Sequence, residues 1–440
     1  MKLQIILVNR GYQSVPGGFI MMEIILAFSL FSLFTISYFT LNSSMQSIKV
    51  WSINELDSLK SSVHKMDNLI NTNLIDKISS STHYGNFSKL FNINDLSIIK
   101  SDLVNSWGST NCSSRIFFNP SKTYYHPDGI FLGSGNISTD MEIRNSIIYL
   151  VTDSSTQSQA DFFIIDSTNP SLSSIISSLN TGPGLSALVV AGPYVYVANT
   201  SSISQLQIID IHNRESPTII SQLKVPLPEA SSTPPKANSI FYKNGFVYLG
   251  TSKWAGPEFY IVDVSNPNSP NIVSSFETNT LINDIYVINN FAYLATSDIL
   301  QMRTLDISDK SSPILKDSFS STGWQTQEGK VLDYFEENLG LGRTVGGFNN
   351  ISNHEAFIFS STTDFMSKDI PGGVYGLLIR SNYVFLATHS PLSEFQIWNL
   401  KLSTKIFSKS LGFQPVGMSC DWSNIYFTTG NDKGFAILKL

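Results

Sequence analysis

One pattern recurs from about residue 140 to the end of the chain, and it restricts the fold more than any other feature. Each copy holds a short run ending in an aromatic-aliphatic pair, a polar loop, an Ile/Val-rich run ending in Asp, and a turn of Ser, Asn and Pro. The clearest copies are Tyr194-Val-Tyr-Val-Ala198 with Leu206-Gln-Ile-Ile-Asp210, Phe246-Val-Tyr-Leu-Gly250 with Phe259-Tyr-Ile-Val-Asp263, and Phe291-Ala-Tyr-Leu-Ala295 with Met302-Arg-Thr-Leu-Asp306. Ile147-Ile-Tyr-Leu150 precedes Phe162-Phe-Ile-Ile-Asp166. Later, Tyr383-Val-Phe-Leu-Ala387 precedes Phe395-Gln-Ile-Trp-Asn399, and Asn424-Ile-Tyr-Phe427 precedes Phe435-Ala-Ile-Leu438. A degenerate copy lies around Leu339 to Phe359. Equivalent aromatic positions stand 47 residues apart from Tyr149 to Tyr196, 52 to Tyr248, 45 to Tyr293, and 41 from Phe385 to Tyr426. Several short strands in each period of roughly 40–50 residues predict a β-propeller, one four-stranded sheet per blade. Counting the degenerate copy gives seven blades.

The turn after each aspartate is built from residues that close turns through side-chain hydrogen bonds and a preset φ. Asp166, Asp210, Asp263 and Asp306 hold the same place in each unit, so their expected role is structural, capping the turn that follows. These stretches resemble the LVIVD repeat, named for its Leu-Val-Ile-Val-Asp strand. The resemblance is good over about 160 to 320 and weaker afterwards, and it too implies a propeller. The last unit runs out after its third strand, so the ring-closing outer strand is expected from upstream, within residues 112 to 140. Cys112 begins that segment and Cys420 lies in the last unit. They form a candidate disulfide across the seam, worth ~4–5 kcal/mol in the chain-entropy model; two unpaired buried thiols are the other reading.

The start of the chain has a different character. Residues 19–41 form an apolar run interrupted by one acid, Glu23. At ~1.5 Å per residue the run would span roughly 34 Å, enough to cross a bilayer core. Lys2 and Arg10 precede it with no acid, which favours a cytoplasmic start and an exported remainder. The run is too long for an ordinary secretory signal. A lone carboxylate in a membrane helix costs ~2.5–3.5 kcal/mol on insertion scales, so Glu23 needs a partner. Gly18 stands just before the run and Glu23 is the fifth residue after it. That arrangement resembles the processing site of type IV pilins and pseudopilins. The resemblance implies cleavage after Gly18 by a prepilin peptidase, methylation of the new amino terminus at Phe19, and Glu23 facing the amino terminus of a neighbouring subunit during assembly. Many pilins carry a proline near the far end of this segment; this chain has none between Phe19 and Asn119.

Apolar residues from Met45 to Leu74 recur at three- and four-residue steps, so the helix is expected to continue to about 78, with Gly85 as a stop. The expected organisation is a leader over 1–18, a pilin-type helix over 19–84 with 19–41 transmembrane, a linker and ring-closing strand over 85–139, and a propeller over 140–440. The expected fold class is α+β.

Chemistry is sparse. Hydrophobic residues make up 42% and charged residues 14% of the 440 residues. The surface must therefore rely on Ser, Thr, Asn and Gln. A net charge of −6 gives no electrostatic reason to expect nucleic acid. His64, His83, His126, His212, His354 and His389 show no metal-ligand spacing, and no nucleophile or phosphate-loop motif occurs. No metal, cofactor or catalytic residue is expected, and the chain is read as a non-enzyme. Asn431-Asp-Lys-Gly434 reads as a hairpin turn, and Asp333 with Glu336-Glu337 as a solvated loop. Trp254 and Trp324 read as partial core or as exposed contact residues.

The leading expectation is a structural subunit of a bacterial type IV pilus-like filament displaying an extracellular propeller for adhesion. Its partners would be other copies or other pilins, the prepilin peptidase, the assembly machinery, and the inner membrane before assembly. A pseudopilin of a secretion or DNA-uptake machine and a membrane-anchored propeller enzyme stay open as alternatives.

Overall fold

The structure is a computed structural model and describes residues 124–126, 129–154, 158–227, 234–321, 328–344, 354–360, 364–380, 382–421 and 424–439. All of them belong to the second of two units into which the chain divides, residues 97–440. They form seven four-stranded antiparallel sheets. Blades 1 to 6 span residues 136–179, 185–223, 237–276, 282–319, 329–368 and 374–409, each a simple up-and-down meander. Blade 7 takes its first three strands from residues 417–439 and its outer strand from Tyr124–His126. The first strands of neighbouring blades touch all the way round, blade 7 against blade 1 included, so the ring is closed.

The expected seven-bladed propeller carrying LVIVD repeats is what the chain forms. The expected α+β class is not. Among the described residues the sole helix is the single 3-10 turn Pro170–Leu172, and the rest of the regular structure is strand. No helix of the described residues is long and apolar enough to cross a membrane. The helix expected over 19–84 lies outside the described residues, so the class observed is all-β.

Blade stacking explains the residue pattern. Second and third strands such as Tyr194–Asn199 and Leu206–Asp210 are buried along almost their whole length. A neighbouring blade covers each of their faces, so the apolar run need not alternate. Outer strands such as Asn271–Phe276 have one open side and mix exposed with half-buried residues. Seven apolar clusters fill the contacts between blades. Val151, Phe162 and Val197 join blades 1 and 2, Phe385, Phe395 and Phe427 join blades 6 and 7, and Ile148, Phe163 and Ile437 join blade 7 to blade 1.

Blade 5 is the degenerate copy. Its second strand, Asn338–Arg343, has Gly340 where the other blades carry Tyr196, Tyr248, Tyr293 or Phe385, and Gly342 at a position that is Ala or Gly in those blades too. A Cβ on Gly340 would lie 2.5 Å from a Leu377 methyl, and one on Gly342 would lie 2.6 Å from Val374. Blade 6 fills the space that the glycines leave.

Closure at blade 7 is short. Tyr124 pairs with Lys439, Tyr125 with Leu438 and His126 with Ile437, antiparallel. The Tyr125 hydroxyl donates to the Leu411 carbonyl at 2.7 Å, and the Lys409 ammonium sits 5.7 Å from the Tyr125 ring. Strand directions fix the two ends of the propeller. The chain enters at residue 124 on the end carrying the first-to-second and third-to-fourth strand turns, here the turn face. The second-to-third loops form the opposite loop face. Cys420 ends the inner strand Gly417–Cys420 on the turn face. It is fully buried and disulfide-bonded. The chain's other cysteine, Cys112, lies outside the described residues.

Cys420→Ser should therefore weaken the seam more than its buried volume implies. Loss of a native disulfide typically costs about 2–5 kcal/mol. Thermal unfolding of wild type and variant, with and without reductant, checks this: reductant should lower the wild-type midpoint and leave the variant unchanged.

Candidate binding face and the clasps that support it

The repeated turn residues do the same job in four blades. Asp166, Asp210, Asp263 and Asp306 each accept, through Oδ1, a hydrogen bond from the amide two residues on, at 2.8 to 2.9 Å. Asn169, Asn213, Asn266 and Asp309 repeat the motif three residues later. Hydrogen bonds from the following turn hold the four aspartates below the usual carboxylate range. Each blade keeps its own aspartate on its own turn, and no cluster of three metal-ligating side chains occurs among the described residues. In blades 1 to 3 a serine on the outer strand ties the blade to the next turn. Ser177 Oγ donates to the Arg214 carbonyl at 2.6 Å, Ser221 to Pro267 at 2.6 Å and Ser274 to Lys310 at 2.5 Å.

A second set of clasps was not read from the sequence. The residue just before each third strand of blades 1 to 6 is an acid or a glutamine. Asp161, Gln205, Glu258, Gln301, Glu355 and Glu394 each accept from a backbone amide in the connection to the next blade: Thr181, Val225, Thr278, Ser321, Ile370 and Leu411. The signal was present as an Asp, Gln or Glu ahead of the third-strand run in blades 1 to 6, but the residue type varies and Gly434 takes the place in blade 7.

A third set lies around the axis. Asp140 accepts from the Leu188 amide at 2.9 Å, Glu142 from Val190, Asp284 from Leu332 at 2.7 Å and Asp333 from Ile379 at 2.6 Å. In each case the acid on one inner strand caps an amide of the next. Asp333 also pairs with Arg380 at 2.7 Å, and Glu142 with Arg144 at 2.6 Å. Asp333 is thus no solvated loop residue. It lies on the buried inner strand Gly329–Phe335, and only Glu336-Glu337 form the turn, with φ of 45° and 69°. Burial pushes Asp140 and Asp284 up to about 7, Glu355 to about 7 and Asp161 to about 6, against the pull of the amides they accept.

Among the described residues, His212, His354 and His389 do not converge. His212 is exposed and 2.7 Å from Asp210, His354 meets Ser367 at 2.5 Å, and His389 stacks on Tyr375 with ring centres 3.5 Å apart. Asn431–Gly434 is the second-to-third loop of blade 7, closed by Asn431 Oδ1 accepting from Lys433 N. Trp254 is half-buried, and its indole N–H donates to the Pro257 carbonyl at 2.6 Å. Gly18, Phe19, Glu23, Cys112 and Trp324 lie outside the described residues.

Two features could receive a partner. A cavity of about 510 Å³ opens on the turn face of blades 1 and 2, lined by Tyr149, Pro193, His212, Arg214 and Glu215. The larger feature is the loop face. Four of its loops expose a large apolar side chain: Leu392 is 82%, Ile203 74%, Ile299 68% and Phe131 64% exposed; the turn face shows Leu172 at 76%, and Ile175, Ile314, Leu315, Phe365 and Ile406 are exposed on the outer strands. Phe131 reaches this face because Leu132 N bonds the Asp432 carbonyl of the blade 7 loop at 2.9 Å.

Two measurements follow. Glu258→Ala would strand the buried Thr278 amide and loosen the half-exposed Asn279 amide, and should cost about 1–3 kcal/mol in urea unfolding, the penalty for a buried group that loses its partner. The raised carboxyls make the folded chain hold protons more tightly than the unfolded chain between the ordinary 3.8 and about 7. Stability should therefore rise as pH falls from about 8 to about 5, read as a higher urea midpoint at the lower pH.

The LVIVD repeat model matches residues 186–224, 236–278 and 282–321, which are blades 2, 3 and 4 with their connections. No curated protein matches the sequence. Among solved structures, a chain of the mitotic checkpoint complex aligns with a TM-score of 0.52 at 11% identity, over 73% of this chain and 96% of that one. The computationally designed protein Ika8 aligns at 0.48 and 9% identity, over 72% of this chain and all of that one. YCF48, solved bound to a D1 peptide, aligns at 0.47 and 11%, over 74% and 98%. At such identities the likeness to the first is one of fold. The chain therefore carries LVIVD repeats within a seven-bladed β-propeller.

Proposed function

We propose that the chain is a structural subunit of a bacterial type IV pilus-like filament that displays its propeller outside the cell for adhesion. The observation that carries this reading is Glu23, a single carboxylate in the apolar run 19–41, five residues after Gly18. Such an acid needs a partner in a membrane or filament core. Cleavage after Gly18 would create one, the amine of Phe19 on a neighbouring copy. The inner membrane would hold the subunit before assembly.

Two features of the propeller support display. The disulfide at Cys420 suits an oxidising compartment. The chain enters on the turn face, which leaves the loop face, with its exposed apolar tips, at the opposite end.

Intact mass and amino-terminal sequencing of protein sheared from cells test the proposal. The expected result is a chain beginning at methylated Phe19 in a high-molecular-weight fraction, lost in Glu23→Ala while the variant's propeller still folds. A processed chain retained in short membrane assemblies would point to a pseudopilin. A chain beginning at Met1 and confined to membranes would overturn the proposal.

A further inference from the structure

We propose that the cavity between blades 1 and 2 binds an acidic sugar, with its carboxylate on Arg214 and its hydroxyls on His212 and Glu215. The inference goes beyond the filament reading and does not depend on it. Tyr149 of blade 1 is the floor of the cavity, and Pro193, Ile211, His212, Arg214 and Glu215 of blade 2 are its walls. Its volume of about 510 Å³ lies within the ~300–1,000 Å³ of small-molecule sites.

The neighbouring grooves show why this one is open. Tyr149, Tyr196 and Tyr426 hold the same place in their second strands, each opposite the middle isoleucine of the third strand. Between blades 2 and 3, Tyr242 stacks on Tyr196 with ring centres 5.2 Å apart and fills the groove. In blade 7 the Tyr426 hydroxyl donates to Asp421 at 2.7 Å. Val190 is next to last in the inner strand of blade 2, where Tyr242 stands in blade 3. It touches the Tyr149 cluster but is too small to close the groove above it.

The polar groups around the cavity select the ligand. None of the ion pairs among the described residues includes Arg214. Burial pushes the Tyr149 phenol up, and the Arg214 guanidinium beside its hydroxyl pulls against that shift. A cation without an acid partner and a phenol therefore face one space, where a carboxylate would take paired hydrogen bonds from the guanidinium. The His212 ring is fixed on both sides. Its Nδ1 is 2.7 Å from Asp210, and the ring meets Tyr194 edge-on with centres 5.6 Å apart. Nε2 is left for a ligand hydroxyl. The Glu215 carboxylate accepts no hydrogen bond among the described residues and would take a second hydroxyl, while Pro193 and Ile211 offer an apolar wall to the C–H face of a sugar ring. Arg214 shares this space with Glu215 and Asp210, so it balances one negative charge on a ligand rather than the two of a phosphate.

Isothermal titration of the full chain in detergent micelles with glucuronate, glucose, acetate and inorganic phosphate tests the site. One glucuronate should bind per chain, more tightly than any of the other three. Arg214→Gln should weaken it at least about tenfold, the loss expected for a charge-assisted pair. Lys310→Gln changes the residue at the place of Arg214 in blade 4, where the ammonium sits 5.0 Å from the Phe246 ring, and should leave binding unchanged. Both variants should unfold at the wild-type midpoint, which separates a lost site from a lost fold. No binding of glucuronate, equal binding by Arg214→Gln, or equal affinity for glucose, acetate or phosphate would overturn the proposal.

Discussion

Each blade of this propeller is held by the apolar faces of its two neighbours, and the rest of the structure depends on that contact. A single four-stranded sheet cannot cover both of its faces. Side chains such as Phe162, Phe259 and Phe385 become fully buried only when the next blade is in place. Burying one such group contributes roughly 1.5–3 kcal/mol, against about 1 kcal/mol net for one hydrogen bond. At the seam, the cluster joining Ile143, Ile148 and Phe163 to Tyr426, Phe435 and Ile437 therefore outweighs the three-pair ladder of Tyr124–His126. The ladder completes the sheet; apolar contact closes the ring.

Polar clasps then set the spacing of the blades. They come in three layers, at the turn face, at the loop face and around the axis. Most use a neutral or singly charged acceptor on a backbone amide rather than an ion pair. This is how a chain with few charges satisfies the amides at its sheet edges, which would be costly to leave unpaired once buried. Burial makes Asp140 and Asp284 near the axis, and Glu355 at the loop face, harder to ionise, although each accepts at least one amide.

Much of this fold could be read from the residues because the repeat is written in side chains of one kind at one spacing. Tyr196, Tyr248 and Tyr293 recur in second strands, and Asp210, Asp263 and Asp306 end third strands, so chain position reveals spatial position. Blade 5 was legible only as a weak copy, because Gly340, where the other second strands carry an aromatic ring, exchanges its own bulk for that of Leu377. Asp333 was misread for a related reason. Its partners, Ile379 and Arg380, stand 46 and 47 residues away on another blade, and nothing local marks the acid as buried. Glu258 and its counterparts hid behind changes of residue type, since Asp, Glu and Gln all offer an acceptor. The α+β class rested on the segment before residue 85, whereas the described residues speak for the sheets alone.

The position of Cys420 has a mechanical meaning. A propeller held by its amino-terminal side and pulled at its loop face transmits tension to the chain where it enters, at residue 124. Without a covalent link, that tension would peel a three-residue strand from the edge of blade 7. Cys112 precedes that strand, so a bond from it to Cys420 would divert the pull from the outermost strand to the innermost strand of the same blade. Force would then spread through the stacked ring, and the closing strand would be spared from tearing.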